Sequence, residues 1–410
     1  MSEWKKVKLG ELYEVHNGLS KGRQFFGTGF PFLTFSNVFN NWFLPDQLES
    51  LVQTTDKERE ACSIKAGDVF ITRTSETMDE LGMSSVALKD YPNATYNGFT
   101  KRLRPITDRV NPRYIGYYLR TPKFRGQFMA FSTMTTRASL ANNDLLNMEV
   151  ELPSMEIQHR IATILSRYDS LIKNYQKQIK LLEEAAQRLY KEWFVDLRFP
   201  GHENTNIVDG EPEGWEKKKL CELFSFVRGK SYTSKELSDE GTIMVNLKNI
   251  QSFGGYKSDV EKHFIGTFKE EQTLMKGDLI MGVTDMTQER RLVGSVALIP
   301  DFKETATFSM DLIKLISFKL PNIYLYCAMR YGDVSRQIAP LANGVNVLHL
   351  KPEAISNIEM VVASDSIIEK FVSYTSKTIE NILSLQSQLR LLTEARDRLL
   401  PKLMSGEITV

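Results

Sequence analysis

The sequence has few of the features that mark secreted, membrane-inserted or metal-binding proteins. Its 410 residues include only three cysteines, Cys62, Cys221 and Cys327, whose odd number and wide spacing predict no disulfide framework. No run approaches the ~18 consecutive apolar residues that a membrane-spanning helix needs. Residues 1–6 place no apolar core behind their lysines, so they do not resemble a secretory signal. We therefore expect a protein of the reducing cytoplasm with no membrane partner.

Charge of either sign is not in excess, because 52 Lys and Arg residues face 51 Asp and Glu residues. A net charge of +1 does not by itself exclude a nucleic-acid binder, because electrostatic recognition depends on where the charges lie. At roughly 150 residues per domain, the length predicts two or three domains. The 42% of hydrophobic residues is enough to give each of them a core.

Recognisable catalytic motifs are also lacking. The five histidines have no metal-ligand spacing with the cysteines, and the sequence holds no Gly-x-Ser-x-Gly, phosphate-binding loop or dinucleotide fingerprint. Asn111-Pro112-Arg113-Tyr114 resembles the Asn-Pro-Pro-Tyr element of amino-methyltransferases, but Arg113 replaces the second proline and no glycine-rich cofactor loop precedes it. We interpret this segment as a turn or helix start, and we predict neither catalytic nor metal-binding residues in the chain.

What the sequence does contain is a long internal repeat. Gly67-Asp68-Val69 recurs as Gly277-Asp278-Leu279, and residues 85–88 recur as residues 295–298, both 210 positions later. A period this long indicates a duplicated domain, because the repeats of solenoid proteins run to only ~20–50 residues. Two similar domains in one chain predict a pseudo-two-fold molecule.

Both copies have the same internal order. We predict globular domains at 1–153 and 215–362, long helices at 154–200 and 363–410, and a polar linker at 201–214. Short β-type runs broken by Gly, Pro and Asn alternate with helical stretches in the globular parts, which predicts a mixed α/β fold. The β-type runs include 30–35, 68–72 and 278–281, and the helical stretches lie near 112–130 and 321–338.

Both predicted long helices carry apolar residues at alternating spacings of four and three. This heptad pattern is typical of a coiled coil, and two such stripes in one chain are most simply buried against each other, in antiparallel orientation. Thr375, Thr378 and Arg396 interrupt the second stripe. The alternative is an amphipathic helix that covers only the core of its own domain. The residues that we predict at the helix–helix interface are Ile161, Tyr168, Tyr175, Leu182, Leu189, Trp193, Leu385, Leu392 and Leu399.

One segment of the first copy is basic and rich in aromatic residues. Residues 101–150 hold nine Lys and Arg against three Asp and Glu, with tyrosines between them. Basic side chains bind phosphates, and aromatic side chains can pack or stack. The alternative for each basic run is a solvated face that is balanced by acidic residues elsewhere. The basic residues that we predict to contact DNA are Lys101, Arg102 and Arg104, with Lys217, Lys219 and Lys230 in the second copy.

Two polar loops stand at matching places in the copies and differ in sequence. The first follows a β-type run at 72–75 and at 282–285, and the second precedes the last β-type run at 133–137 and at 344–349. Polar side chains such as Arg, Asn and Thr can hydrogen-bond to base edges in the major groove, so different loops would recognise different bases. Ordinary surface turns are the alternative. The candidate base-contacting residues are Arg73, Thr74, Ser75, Thr136, Arg137, Thr284, Asn346 and His349.

Several segments resemble the specificity subunit of type I restriction–modification systems. The most specific are Lys191-Glu192-Trp193-Phe194-Val195-Asp196 and the terminal run 398–408, and the likeness extends along the whole chain through residues 4–18 and both Gly-Asp elements. The resemblance implies two target-recognition domains, each of which recognises half of a bipartite double-stranded DNA site. It also implies two antiparallel helices that set the spacer, and no active site in this chain.

The same resemblance implies partner subunits. Two methyltransferase (modification) subunits would dock on the helices, bind S-adenosylmethionine and methylate adenine, and restriction subunits would add cleavage that depends on ATP and Mg. Half-sites on one face of B-DNA lie about 34 Å apart, and a packed helix pair has a stiffness that a polar linker lacks. Two alternatives stay open: a self-sufficient DNA-modifying or DNA-cleaving enzyme with an unrecognised site, and a coiled-coil scaffold that binds no DNA.

Overall fold

A computed structural model describes residues 4–75, 81–131, 138–258 and 262–410 of the chain. The chain forms two compact units. Unit 1 is Met1–Ser170 together with Ala395–Val410, and unit 2 is Leu171–Glu394. Both units contain β-sheets and helices, so the predicted mixed α/β fold class is confirmed. Across the described ranges, no helix is both long enough and apolar enough to cross a bilayer.

Unit 1 alternates short strands with short helices before a long helix begins. Its strands are β1 (Lys5–Lys8), β2 (Tyr13–Asn17), β3 (Phe26–Leu33), β4 (Leu51–Val52), β5 (Val69–Thr72), β6 (Thr74–Ser75), β7 (Ser84–Val86), β8 (Thr95–Tyr96), β9 (Thr100–Pro105), β10 (Ala138–Ser139) and β11 (Glu149–Leu152). Its helices are α1 (Phe35–Asn40), α2 (Asp56–Ala61), α3 (Pro112–Tyr118), α4 (Pro122–Phe131), α5 (Asn142–Asn147) and the first part of α6 (Met155–Tyr190).

Unit 2 contains the rest of α6, which continues as a π-helical turn at Lys191–Val195. Its strands are β12 (Ile207–Val208), β13 (Glu211–Pro212), β14 (Glu216–Lys219), β15 (Phe224–Arg228), β16 (Leu237–Ser238), β17 (Thr242–Val245), β18 (His263–Phe264), β19 (Leu279–Gly282), β20 (Thr284–Asp285), β21 (Val296–Leu298), β22 (Ala306–Phe308), β23 (Leu312–Ser317), β24 (Leu348–His349) and β25 (Glu359–Val362). Its helices are α7 (Leu220–Leu223), α8 (Asn322–Tyr331), α9 (Val334–Ile338) and most of α10 (Asp365–Ser405), whose last turns belong to unit 1.

A four-stranded antiparallel sheet in the order β2-β9-β5-β7 is the centre of unit 1. Every residue of β5 is buried, because both faces of this strand are covered. Val69 and Ile71 pack in one hydrophobic cluster with Tyr114 of α3, whereas Phe70 packs in another with Leu33. Successive side chains of a strand point to opposite faces, so an uninterrupted apolar run is what a strand between two cores requires.

Unit 2 repeats this sheet in the order β15-β23-β19-β21. Leu279 and Met281 of β19 pack in one cluster, and Ile280 packs in the other. Beside the sheet, β17 pairs with β22 in parallel, as β3 pairs with β8 in unit 1. The short ladder β14–β25 likewise matches β1–β11. The sequence repeat is therefore a duplicated fold.

The repeated Gly-Asp element ties the start of the central strand to its neighbour. Asp68 is fully buried, accepts a hydrogen bond from the backbone N–H three residues earlier, and pairs with Arg104 of β9 at 2.7 Å. Asp278 makes the same backbone turn and lies 3.6 Å from Lys314 of β23. The element is shared by the two copies because it shapes the sheet.

The long helices pack on each other through the predicted stripes. In unit 2 the ring of Trp193, in the π-helical turn after α6, lies 5.8 Å from that of Phe371 near the start of α10. Earlier in α6, Ile179 lines a groove together with Leu389, later in α10. The helices therefore run antiparallel here. None of the predicted interface residues is exposed, and the stripe also joins the core cluster of unit 2.

Two of the three polar residues that interrupt the second stripe, Arg396 and Thr375, have hydrogen-bond or ion-pair partners within the fold. In unit 1, Arg396 forms a 3.0 Å ion pair with Asp169 of α6, and Asp169 also accepts a hydrogen bond from the hydroxyl of Tyr117. In unit 2, Thr375 is buried and its hydroxyl donates to the carbonyl of Phe371. The second stripe thus includes a charged pair that joins it to α6 in unit 1.

Candidate nucleic-acid interface

Part of the basic segment at 101–150 is used inside unit 1. Arg102 is 2% exposed, and its guanidinium donates to the carbonyl oxygens of Ser63 at 2.6 Å and Ala61 at 3.3 Å. Arg104 is paired with buried Asp68. The prediction that Arg102 and Arg104 contact DNA is therefore corrected, because both guanidiniums hold β9 to the loop that precedes β5.

The aromatic residues of this segment are core residues and not a stacking surface. Tyr114, Tyr117, Tyr118 and Phe124 are all buried. Arg120 follows them and donates to the backbone carbonyl oxygens of four other residues, and burial lowers its pKa to about 10. The mixture of basic and aromatic residues in the sequence therefore reflects internal packing here.

A two-stranded ladder joins the two segments that carry the predicted loops of unit 1. Directly after β5, Arg73 leads into β6, which contains Thr74 and Ser75, and β6 pairs antiparallel with β10. The two other candidates, Thr136 and Arg137, lie outside the described residues. The first loop, at 72–75, therefore lies beside residues 138 and 139, which directly follow the second loop at 133–137.

Lys101 stands at the start of β9 with only 4% of its surface exposed. Its ammonium donates to the amide oxygen of Asn142 at the start of α5. Burial lowers the pKa of Lys101, the charge of Arg73 lowers it further, and the charge of Asp144 raises it. Lys101 and Arg73 are thus two cations close together at one end of the central sheet, and this end can attract an anion.

The corresponding ladder of unit 2 carries different side chains. Thr284 of β20 lies opposite His349 of β24, with the threonine hydroxyl 3.4 Å from the Nδ1 atom of the imidazole. Thr284 is buried, whereas His349 and Asn346 are exposed. Asp285 is also buried, and its carboxylate accepts two backbone N–H groups of the following loop at 2.8 and 2.7 Å. The ladder fixes the loops and leaves Asn346 and His349 open to a ligand.

Two further positions at this end of the sheets were not predicted. The backbone N–H of Arg73 donates to the carbonyl of Phe99, and that of Val283 donates to the carbonyl of Asp311, so Phe99 and Asp311 occupy the same place in the two units. Phe99 is 55% exposed and Asp311 is half-buried. Phe99 and Asp311 are 212 positions apart (311 − 99), two more than the 210 of the repeated elements. A comparison of the copies at a fixed spacing of 210 therefore does not align these two residues.

The predicted lysines of the second copy separate into two groups. Lys230 forms a parallel bridge with Ser309, at the end of the central sheet where the loops begin. Lys217 and Lys219 are exposed on β14, in the ladder with β25 rather than in the central sheet, and Lys217 lies 4.0 Å from Glu211. The candidate surface of unit 2 therefore includes Lys230 but not the other two lysines.

Metal-ligating side chains are not clustered in the described part of the chain. No group of three or more His, Cys, Asp or Glu side chains among them could hold a metal ion. The side chain of Asn111 accepts hydrogen bonds from the backbone N–H groups of Arg113 and Tyr114, so Asn111 caps α3. The interpretation of this motif as a helix start is confirmed.

Comparisons with known proteins agree on one family. Residues 1–184 match the family model described as the type I restriction modification DNA specificity domain. The type I restriction enzyme MjaIX specificity subunit of Methanocaldococcus jannaschii is 26% identical over 419 residues, which cover all of this chain and 94% of the relative. The HindI specificity subunit of Haemophilus influenzae is 23% identical over 486 residues, which cover both chains completely. A crystal structure of a type I restriction–modification S subunit from M. genitalium has the same fold, with a TM-score of 0.59 at 15% identity over 98% of this chain and 96% of that one.

Proposed function

This chain belongs to the specificity subunits of type I restriction–modification systems, and from that premise we propose that each unit recognises one half of a bipartite double-stranded DNA target. The chain supplies the DNA recognition of a multisubunit system. In the proposal, methylation and cleavage belong to other subunits, and the chain has no catalytic residue of its own.

The observation that carries this proposal is one backbone frame that presents different side chains in the two units. The residue after the central strand is Arg73 in unit 1 and Val283 in unit 2, and each donates its N–H to the matching carbonyl of Phe99 or Asp311. An arginine can donate two hydrogen bonds to guanine, an aspartate accepts from cytosine, and an exposed apolar ring such as that of Phe99 contacts the methyl group of thymine. Val283 is buried, so unit 2 presents no side chain at the position of Arg73. Equivalent positions with different chemistry would recognise unlike half-sites.

The partners and the spacer follow from the same premise. We propose that α6 and α10 together set the distance between the half-sites and dock two methyltransferase subunits, which bind S-adenosylmethionine and methylate adenine. Restriction subunits would add cleavage that depends on ATP and Mg. We place this complex in the cytoplasm, where its DNA substrate lies.

The proposal is tested in a host that produces this chain together with its methyltransferase subunit. Sequencing that detects methylated adenines gives the whole bipartite target. Arg73→Ala should relax the half recognised by unit 1 and leave the other half unchanged, whereas His349→Ala, at an exposed candidate position of unit 2, should do the reverse. A target that does not change in either variant, or that changes in both halves at once, would contradict the assignment of one half to each unit.

A self-sufficient enzyme is the competing function, and the purified chain distinguishes the two. Incubated with duplex DNA and S-adenosylmethionine or Mg, the chain alone should neither transfer methyl groups nor cleave. Methyl transfer or cleavage by the chain alone that persists through further purification would favour the self-sufficient enzyme.

A further inference from the structure

Unit 2 contains a basic cavity that is lined by none of the candidate base-contacting residues. It has a volume of about 420 Å³ and is enclosed by the loop after β20, the turn between α8 and α9, and the segment around Gly254. The described residues that line it include no acidic side chain. The basic residues that line it are Arg290, Arg291, Arg330 and Arg336.

Two of these four arginines are already paired within unit 2. Arg330 forms a two-pronged ion pair with Glu183 of α6, with nitrogen–oxygen distances of 2.9 and 3.0 Å. Arg291 pairs with Glu289 of its own loop at 2.6 Å. These carboxylates cancel two of the four positive charges, and they fix the walls of the cavity.

The other two arginines have no partner in the described part of the chain. Arg336 is exposed on α9 and forms neither a hydrogen bond nor an ion pair there. Arg290 is half-buried, and its Nε atom is shielded from solvent without a hydrogen-bond acceptor. An enclosed donor without an acceptor is costly, and more so when the group is charged. An anion in the cavity would supply the missing acceptor and balance both charges.

The surroundings of the cavity indicate which anion. Gln288, two residues before Arg290, donates to the carbonyl of Val345 in the second loop of unit 2, so the cavity adjoins the candidate DNA surface. Phe253 forms part of the rim, is 69% exposed, and is held by a hydrogen bond from its N–H to the carbonyl of Arg291. Cations beside an exposed aromatic ring are typical of a nucleic-acid surface.

We propose that this cavity binds one phosphate of the DNA backbone beside the half-site of unit 2, with Arg290 and Arg336 as its ligands. The inference rests on the proposed function and adds to it a contact that positions the duplex. Such a contact contributes affinity and register but carries no sequence information.

The test measures binding of the full chain to a duplex of random sequence at a series of NaCl concentrations. Arg336→Gln removes one charge, and Arg290→Asn removes the other with a residue that tolerates the φ of +54° at this position. Loss of one phosphate contact lowers the slope of log K against log salt by about 0.9. The double variant should show this decrease and weaker binding at low salt. Lys377→Gln is the control, because it removes an exposed lysine of α10 that is paired with Glu380 and leaves the cavity unchanged.

The outcomes separate this inference from the function on which it rests. If the wild-type chain does not bind duplex DNA, the proposed function fails. If the wild type binds and the double variant keeps its slope and affinity, only the phosphate site is refuted. The methylated target sequence of the double variant should stay unchanged, and a changed sequence would contradict a backbone contact. If inorganic phosphate raises the Tm of the wild type but not that of the double variant, while both bind DNA with the same salt dependence, the cavity binds a free anion and the proposal is overturned.

Discussion

Asp68→Asn and Asp278→Asn alter the same motif in the two units, and we expect them to have different costs. The carboxylate of Asp68 is fully buried and accepts two nitrogens of Arg104, at 2.9 and 2.7 Å. The side chain of Asp278 is 26% exposed, and its cation, Lys314, lies 3.6 Å away. In both units the aspartate also accepts a backbone N–H, which the amide oxygen of asparagine can still accept.

The expected loss of stability in each variant follows from the positive charge that the substitution leaves unpaired. Removing one partner of a buried ion pair costs about 3–5 kcal/mol. The side chain of Arg104 is 20% exposed and keeps the carbonyl of Ser63 at 3.0 Å, so we expect the lower end of this range for Asp68→Asn. For Asp278→Asn, the longer and more open pair gives a cost of ~1 kcal/mol or less.

Hydrogen exchange measured by mass spectrometry on the full chain is the appropriate assay. A chain of two units need not unfold in one step, whereas exchange reports the opening of each sheet separately. Because 1.4 kcal/mol corresponds to a tenfold change in an equilibrium constant, the protection of peptides from β5 and β9 against exchange should fall about 100-fold in Asp68→Asn. Peptides from β19 and β23 should lose about fivefold in Asp278→Asn.

A second substitution tests the cause directly. Arg104→Met in the Asp68→Asn background replaces the stranded charge with an apolar side chain and should restore most of the lost protection. Equal losses in the two single variants would refute the argument from burial. A double variant that is no more protected than Asp68→Asn would refute the argument from the unpaired guanidinium.

Three further predictions concern the loop ends and the helices. A Cβ at Gly18 would overlap the carbonyl oxygen of Asn97, and a Cβ at Gly229 would overlap that of Ser309. Gly18→Ala and Gly229→Ala should therefore each weaken recognition of only one half-site, which mapping of the methylated target would show. Trp193→Ala removes a 5% exposed ring and should lower the opening free energy of unit 2, measured by hydrogen exchange, by about 3–5 kcal/mol, whereas exposed Leu181→Ala should lower it by less than ~0.5 kcal/mol. Deleting matched heptads from α6 and α10 should shorten the spacer of the methylated target without changing its half-sites, and altered half-sites with an unchanged spacer would contradict the spacer role.

The sequence was sufficient for the features that depend on periodicity or on the repeat. The apolar stripes of α6 and α10 follow from local spacing, and the central strands follow from uninterrupted apolar runs such as 69–71. The charge of the basic segment could not be interpreted in the same way. Arg102 is bonded to the carbonyl of Ser63 and Arg104 to Asp68, and both contacts join residues far apart in the chain. A count of lysines and arginines does not show which of them are paired inside the fold.

The position shared by Phe99 and Asp311 shows a second limit. Its backbone hydrogen bond is the same in both units, but the spacing of the repeat differs by two residues there. A fixed register therefore pairs the wrong residues in this turn. Topology identifies the match because hydrogen bonding to the central strand is independent of the length of the intervening loop.

The central claim is that each unit recognises its own half of the target, and a chimeric chain tests it most directly. In this chimera, residues 215–362 are replaced by a second copy of residues 1–153, and methylated adenines are mapped in a host that also produces the methyltransferase subunit. We expect a target whose two halves are the same sequence in inverted orientation, each equal to one half of the wild-type target. A methylated target that keeps the half-site lost with 215–362 would contradict the account.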